Sequence, residues 1–225
     1  MDSAVVGRDA VLERAWRSLA GPGVVLIEGP AGIGKTAMWR GLVGRARAAG
    51  WRVLSCAPTE AEAALPFAAL ADLLRPLAEQ MATLPRPQRV AAEVALLASD
   101  SEEPIDERAL GAATRSLLDA AVSAVSAVSA GSAGSGTGET PVLVAVDDAP
   151  WLDRPSERAL RFALRRVAPR LAVLVTCRSD SGPASVPPVP LGLDQEPTAG
   201  ALTRIELDPL GVGATTSCAP GSARP

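Results

Sequence analysis

The sequence predicts an α/β fold in which a mainly parallel central sheet lies between two layers of helices. Short apolar runs recur at 24–28, 142–146 and 171–176, and their length and uninterrupted apolar character are typical of buried parallel strands. Segments with apolar residues at helical spacing lie between these runs. Strands that alternate with helices indicate a parallel sheet covered on both faces, which is the three-layer α/β/α architecture.

The first quarter of the chain has the order helix, strand, helix, strand. Residues 9–20 place Trp16 and Leu19 on the apolar face of an amphipathic helix, and GPG ends it. The run VVLIE at 24–28 is a predicted buried strand. A helix is predicted at 36–49, where Gly50 ends it, and a second strand comes after it at 51–57.

The middle of the chain is rich in alanine and leucine and predicts further helices. A helix over 66–80 begins with proline, and Pro76 predicts a break near Arg75. Further helices are predicted at 90–98 and 107–128. The Ala/Ser/Gly-rich stretch 120–140 is interpreted as an insertion, whose first part could extend a helix and whose second part has the composition of a flexible linker.

The last third repeats the strand–helix pattern. The strand at 142–146 is followed by a helix at 155–167, with Asp153 as a possible N-cap, and by a strand at 171–176. Residues 181–197 are loop-like, and 203–207 form a plausible last strand. Residues 1–210 are therefore predicted to form one domain, and 211–225, without apolar periodicity, are predicted to be a disordered tail.

Composition narrows the classes of function. The net charge is −3, so no overall positive field favours binding of nucleic acid or anionic lipid. The three cysteines are far apart and the chain has no histidine, which makes a zinc site unlikely. Buried reduced thiols are expected at Cys56 and Cys177. With no apolar leader or membrane-spanning run, this predicts a cytoplasmic protein.

The sequence GPAGIGKT fits the phosphate-binding pattern G-x-x-x-x-G-K-[ST], with a predicted strand before it and a helix after it. Backbone N–H groups of such a loop surround phosphate oxygens, Lys35 reaches the β- and γ-phosphates, and Thr36 offers a hydroxyl to Mg²⁺. Lys35 is the only lysine in the chain. The residues expected to bind the nucleotide here are Gly29, Pro30, Ala31, Gly32, Ile33, Gly34, Lys35, Thr36 and Ala37.

Two later strands end in charged residues that point to the same chemistry. Asp147 follows the strand at 142–146 and is the candidate ligand of Mg²⁺ through water, and Asp148 is placed to orient the attacking water. For Asp148 a role as a helix-capping or surface acid stays open. Arg178 follows the next strand and could sense the γ-phosphate, or it is a solvated arginine in an arginine-rich chain.

These motifs, in their order along the chain, resemble a known family. The segments VVGRDAVLERAW, GPAGIGKT, ALPFAALADLLRPL, VLVAVDDAPWLDRPSERAL and LAVLVTCRSD are similar to the N-terminal ATPase module of the large LuxR-type (LAL, MalT-like) transcriptional regulators. These regulators belong to the STAND branch of AAA+-related P-loop ATPases. The resemblance covers about residues 5–210. Pro150 stands where the family has a histidine between its two acids and the tryptophan, which is Trp151 here.

The resemblance implies an ATP-dependent switch. It places Val6, Gly7 and Arg8 near the adenine, makes Asp147 and Asp148 the acidic motif, and makes Arg178 the sensor. Such a module is expected to hydrolyse ATP slowly with Mg²⁺ and to self-associate. The sensor and DNA-binding parts of the family are not found in this sequence, so this chain is not expected to bind nucleic acid directly or to bind membranes.

Three alternatives remain. The first is a nucleotide-binding remnant that holds ATP or ADP without hydrolysis, the second is a small-molecule kinase, and the third is direct DNA binding.

Overall fold

The computed structural model describes residues 7–20, 22–96, 105–131, 141–167, 170–179, 189–195 and 202–209. Within these ranges, five strands form one sheet in the order β2-β3-β4-β1-β5, and every pairing is parallel. The strands are β1 Val24–Gly29, β2 Arg52–Cys56, β3 Val142–Val146, β4 Ala172–Arg178 and β5 Leu202–Glu206. The helices are α1 Asp9–Leu19, α2 Lys35–Ala48, α3 Ala68–Leu74, α4 Arg86–Ala95, α5 Glu107–Gly131 and α6 Arg154–Val167.

Helices cover both faces of the sheet, as the sequence predicts. Helices α1 and α2 pack on one face, where Ile27, Leu143 and Leu174 point toward them. Helices α3 to α6 pack on the other face against the alternate residues of the same strands, among them Val144 and Val175. Because successive side chains of a strand point to opposite faces, one apolar run supplies both halves of the core.

The segment predicted as one helix over 66–80 is divided into two. Helix α3 ends at Leu74, and a 3₁₀ helix, Arg75–Thr83, continues from it. Proline at position 76 has no N–H to donate and its ring crowds the preceding turn, so the change of helix type at Arg75 agrees with the predicted break. Helix α4 begins at Arg86, before the predicted start at 90, because proline near its first position favours helix initiation.

Helix α5 reaches Gly131 and thus continues into the Ala/Ser/Gly-rich stretch, as the sequence allows. Ala121, at the start of that stretch, is fully buried in the core. Residues 132–140, the tail 211–225, Val6 and Cys218 lie outside the described residues. Among the described helices, none combines the length and apolar character that crossing a bilayer requires.

Three neighbouring strands bring the predicted site residues to one edge of the sheet. Strands β3, β4 and β1 are adjacent and parallel, so their carboxyl ends meet. Gly29, at the end of β1, is the register partner of Arg178, at the end of β4. The acids that come after β3 lie one strand further along the same edge. This edge is where α/β sheets place ligand sites.

Candidate functional site

The loop between β1 and α2 is shaped by glycines. Gly32 and Gly34 have φ angles of +74° and +102°, in the left-handed region that glycine adopts without steric cost. A Cβ atom added at either position would meet no heavy atom within 4 Å. The backbone conformation, rather than crowding, therefore requires glycine here, and the space beside the loop is open. Such a loop, followed directly by the N-terminus of α2, has the geometry of an anion-binding site.

Lys35, the first residue of α2, lies with its ammonium group inside this loop. Its side chain is buried, with 6% exposure, and Nζ donates hydrogen bonds to the carbonyl oxygens of Gly29 at 2.8 Å and Pro30 at 2.9 Å. A buried ammonium group is costly unless it is hydrogen-bonded, and these two carbonyls meet that need. The loop thus holds one positive charge at its centre.

A pocket of about 260 Å³ opens beside the loop. The pocket is lined by Ala31, Gly32, Gly34, Lys35, Thr36, Asp148 and Arg178. These residues come from three separate parts of the chain, and the sequence predicted all of them as site residues. This volume lies just below the range of about 300–1,000 Å³ that is typical of ligand pockets. The pocket therefore fits a phosphate chain better than a whole nucleotide.

Asp147, the first residue after β3, is buried next to this pocket but is absent from its lining. Its backbone N–H donates to the carbonyl oxygen of Cys56 on β2 at 3.0 Å. Its Oδ1 atom accepts a 2.6 Å hydrogen bond from the Thr176 hydroxyl. By strand alternation Asp147 and Thr176 lie on the face of the sheet that α2 covers. Helix α2, which begins at the glycine-rich loop, packs on this same face.

Asp148 adopts a left-handed conformation, with φ 45° and ψ 57°, and its side chain lines the pocket. Its backbone N–H donates to the Thr176 hydroxyl oxygen at 2.7 Å. Its Oδ2 atom lies 3.6 Å from Nη2 of Arg178. The Oδ1 atom is buried and has no hydrogen-bond partner among the described residues. A buried carboxylate oxygen in that state is free to accept a hydrogen bond from a ligand or a water molecule.

Arg178 is held from two sides at the end of β4. Besides its ion pair with Asp148, its guanidinium carbon lies 5.3 Å from the centre of the Trp151 ring, a cation–π distance. About a third of the arginine side chain is exposed. The residue predicted as the γ-phosphate sensor therefore lines the pocket, where it lies beside Asp148.

The predicted adenine-side residues lie at another place on the same edge. Arg8 is 5% exposed and donates from Nη2 to the carbonyl oxygen of Asp208 at 2.9 Å. Its Nη1 atom is buried and has no hydrogen-bond partner among the described residues. Leu207, which directly follows β5, has its carbonyl oxygen 3.3 Å from where a Cβ of Gly29 would stand. Arg8 thus lies on the β5 side of the loop, whereas Arg178 lies on the β4 side.

Two further residues of this region make contacts that the sequence analysis did not predict. Thr176 joins Asp147 to Asp148 through its hydroxyl group. Asp153, predicted as a helix cap, does accept from the N–H of Ser156 at 2.9 Å, but the same Oδ1 also accepts from the N–H of Phe67 at 2.8 Å. The only sequence signal for Thr176 is a polar residue inside an otherwise apolar strand.

Protein oxygens suited to a divalent cation are few at this edge. Thr36 offers a hydroxyl and Asp147 a carboxylate, and no cluster of three or more metal-ligating side chains occurs among the described residues. This donor set suits a hard cation that keeps several waters and binds ligand phosphates, and it does not suit a cation that needs a full protein cage.

The two cysteines within the described ranges are free and buried, as expected. Burial raises the pKa of the Cys177 thiol to about 11, and the nearby carboxylates Glu28 and Asp148 add to that rise. Burial also raises the pKa of Cys56 far above its ordinary range. Because the thiolate is the reactive form of cysteine, neither residue is a candidate nucleophile near neutral pH.

A family model described as "AAA ATPase domain" matches residues 4–175 of the chain. No curated protein matches this chain. Among solved structures, one similar to it is the replication initiator DnaA bound to AMPPCP and single-stranded DNA, with 15% identity and a TM-score of 0.41 over 92% of this chain and 49% of that one. AMPPCP-bound DnaA from Aquifex aeolicus has 16% identity and a TM-score of 0.39, covering 88% of this chain and 45% of that one.

A third similar structure is the E. coli MS115-1 HORMA:CdnC:Trip13 complex, with 13% identity and a TM-score of 0.42 over 93% of this chain and 65% of that one. The chain thus spans about half the length of the DnaA structures and about two thirds of the third.

Proposed function

The chain belongs to the AAA ATPase domain family, and we propose that it binds ATP in the pocket beside the glycine-rich loop and hydrolyses it slowly. We further propose, from the resemblance of its sequence motifs, that it is the switch module of a LuxR-type transcriptional regulator. The observation that carries the proposal is the convergence of Lys35, Thr36, Asp148 and Arg178 on one pocket. Two cations, a hydroxyl and a carboxylate around a space of this size match the needs of a phosphate chain under attack by water.

In this proposal the glycine-rich loop and Lys35 bind the phosphates. The N–H groups around Gly32 and Gly34 and the positive end of α2 attract phosphate oxygens. The Lys35 ammonium group, now bonded to the carbonyls of Gly29 and Pro30, has three donors, so it can turn at least one of them toward the phosphates. Thr36 and Asp147 are the residues that would hold Mg²⁺, which neutralises the charge of the phosphates when it is bound.

Hydrolysis needs a water molecule in line with the γ-phosphate. The free Oδ1 of Asp148 is the acceptor that would orient this water, and Arg178 would stabilise the charge on the γ-phosphate. A trans-acting arginine finger contributes about 10³–10⁵ in rate, and the proposal includes none. We therefore expect the isolated chain to turn over well below about 1 s⁻¹.

The nucleoside would extend from the phosphates toward the β5 side of the loop. Gly7 and Arg8 are the described residues there, and the unpaired Nη1 of Arg8 is a donor available to the base or ribose. In this proposal ATP and ADP are the ligands that distinguish the two states of the switch. Self-association in the ATP state and a cytoplasmic location complete the role that the sequence resemblance implies.

A second candidate function is nucleotide binding without hydrolysis. Its support is the ion pair between Asp148 and Arg178, which engages the acid that hydrolysis requires. Aspartate is also one methylene shorter than glutamate and reaches less far into a site. A chain of this kind would retain ATP or ADP and gain stability from it, and it would release no phosphate.

A comparison of the wild-type chain with Lys35→Ala tests the proposal. Arg40→Ala is the matched control, because it removes an exposed cation from the same helix outside the pocket. At an ATP concentration 100 times its Kd, the wild type and the control should gain about 2.7 kcal/mol of stability, and Lys35→Ala should gain far less. Phosphate release should also depend on Lys35. Equal stabilisation and equal turnover in all three proteins would refute ATP binding at this site.

Phosphate release also separates the two candidates. ATP-dependent stabilisation with measurable release that Lys35→Ala abolishes supports the switch ATPase. The same stabilisation with no release above a no-protein blank supports binding without hydrolysis.

A further inference from the structure

Thr176 lies in β4 with no solvent exposure, and its hydroxyl group contacts both acids of the site. The hydroxyl oxygen lies 2.6 Å from Oδ1 of Asp147 and 2.7 Å from the backbone nitrogen of Asp148. β4 is otherwise apolar through its buried part, so the hydroxyl is an exception in this strand. The hydroxyl group therefore has two polar partners, one on each of the two consecutive acids.

The direction of both hydrogen bonds follows from their chemistry. The Asp148 backbone N–H can only donate, so the Thr176 oxygen accepts it. The single hydroxyl proton is then available to Asp147, whose carboxylate oxygen can only accept. One hydroxyl group therefore satisfies an acceptor on Asp147 and a donor on Asp148 at once. The bond to Asp147 is buried and the bond to the Asp148 N–H is partly buried, so each group would cost free energy if left unpaired.

The bond to the Asp148 N–H fixes an uncommon backbone conformation. Asp148 is one of three described non-glycine residues with positive φ. Aspartate tolerates this region better than most residues do, but the conformation still needs support from its surroundings. In it, the Asp148 side chain lines the pocket and keeps Oδ1 free of partners among the described residues. The Thr176 hydroxyl is the side-chain group that holds this turn of the backbone.

We propose that Thr176 is a positioning residue, which sets the orientation of Asp147 toward the metal side of the site and the left-handed turn that aims Asp148 at the attacking water. The inference rests on the proposed ATP hydrolysis. It adds to the site a residue to which neither the sequence motifs nor the family match gives a role. Thr176 itself does not line the pocket, so it acts through the two acids.

A series of variants at this position tests the proposal. Thr176→Ser keeps the hydroxyl, Thr176→Cys keeps a weak donor and acceptor, and Thr176→Val keeps the shape but removes both. Thr114→Val is the matched control, because Thr114 is equally buried and its hydroxyl donates to the Leu110 carbonyl of its own helix. Thermal unfolding of each variant establishes that it is folded before kinetics are compared.

The expected result is a graded loss of turnover with retained binding. Thr176→Val should lower kcat by about tenfold to a hundredfold, since displacing catalytic groups by about 1 Å can cost that much. The concentration of Mg²⁺ needed for half-maximal stimulation should rise because Asp147 loses its orientation. The Kd for ATP in the presence of EDTA should stay at the wild-type value because the glycine-rich loop is unchanged. Thr176→Ser should restore kcat, and Thr176→Cys should be intermediate.

Several outcomes would overturn the inference. If Thr176→Val matches Thr114→Val in kcat and Mg²⁺ dependence while the wild type hydrolyses ATP, Thr176 has only a packing role and the proposed function stands. If Thr176→Val does not fold, the comparison is made between Thr176→Ser and Thr176→Cys instead. Equal kcat values for these two variants would mean that Thr176 has only a packing role. If the wild type neither binds nor hydrolyses ATP, the proposed function fails and this inference fails with it.

Discussion

Arg178 pairs with Asp148 through an Nη2–Oδ2 distance of 3.6 Å, and this pair stands at the wall of the phosphate-sized pocket. Both side chains are partly exposed, and ion pairs of this kind contribute about 0–1 kcal/mol. A γ-phosphate offers the guanidinium more negative charge than one carboxylate does. We therefore expect Arg178 to move from Asp148 to the phosphate when ATP binds, which leaves the Asp148 carboxylate for water.

Replacing Arg178 with alanine should slow hydrolysis more than it weakens binding. Removing one preorganised donor from the charge that develops in a transition state costs about 10²–10³ in kcat in well-studied enzymes, and we expect a loss of at least about tenfold here. Arg154→Ala, an exposed arginine of α6 outside the pocket lining, is the control. Steady-state phosphate release and ATP binding by calorimetry measure the two effects separately.

Trp151 provides a second measurement of the same event, because the Arg178 guanidinium lies over its ring. A non-hydrolysable ATP analogue should change the tryptophan fluorescence of the wild type, and Trp151→Phe or Arg178→Ala should remove that change. ADP should produce a smaller change because it lacks the γ-phosphate. If Arg178→Ala turns over ATP at the rate of Arg154→Ala, Arg178 is only a surface arginine, and it does not move from Asp148 to the γ-phosphate when ATP binds.

Local patterns were sufficient to predict the layers of the fold and most of the pocket. Every described strand was predicted within two residues of its observed bounds. For β1, β3 and β4 the signal was an uninterrupted apolar run, because burial on both faces leaves no alternation in the sequence. Lys35 and Thr36 were predictable from the glycine-rich motif at the start of α2, and Asp148 and Arg178 because each lies at or just beyond the end of a strand. In a parallel sheet, residues at the ends of neighbouring strands meet at one edge.

Contacts between distant segments were beyond the reach of such patterns. The bond from the N–H of Phe67 to Asp153 joins residues 86 positions apart, and that from Thr176 to Asp147 joins residues 29 apart. Neither is implied by spacing along the chain. The 3₁₀ helix that begins at Arg75 was foreseen only as a break, because proline indicates where an α-helix ends and carries no information about the conformation beyond that point.

Asp153 should be more important for stability than a helix cap alone. Its carboxylate accepts from the N–H groups of Ser156 and Phe67, and more weakly from that of Ala69, and it is 2% exposed. Asp153→Ala removes a cap and leaves buried donors unpaired, so we expect a loss of about 2–4 kcal/mol in the free energy of unfolding. Asp153→Asn keeps an acceptor oxygen and should lose less. Urea unfolding followed by circular dichroism measures both.

The matched control for this prediction is Asp106→Ala. Asp106 is exposed, and its Oδ1 accepts from the N–H of Arg108 at 2.8 Å at the start of α5. Loss of an ordinary exposed cap costs about 1 kcal/mol. Asp153→Ala should therefore be clearly less stable than Asp106→Ala. Equal losses in the two variants would mean that the bond from Phe67 to Asp153 adds nothing to the stability of the fold.

Glu28, the residue before Gly29 in β1, places a carboxyl group in a largely buried position next to the glycine-rich loop. Burial raises the pKa of Glu28, and the Glu206 carboxylate adds to the rise, while Arg204, 3.7 Å away, lowers it in part. A carboxyl group whose pKa is higher in the folded than in the unfolded state favours folding when it is protonated. Its contribution is therefore fully present below the unfolded pKa of about 4.3 and is lost as pH rises through the folded pKa.

Glu28→Gln should consequently stabilise the chain at pH 7.5, because glutamine resembles the neutral form that the buried site prefers. The advantage over the wild type should shrink as pH falls through the folded pKa of Glu28 and vanish below about pH 4, where glutamate is neutral in both states. Urea midpoints at several pH values, with the exposed Glu79→Gln as control, measure this difference. A Glu28→Gln variant less stable than the wild type at pH 7.5 would show that the ion pair with Arg204 outweighs the cost of burial.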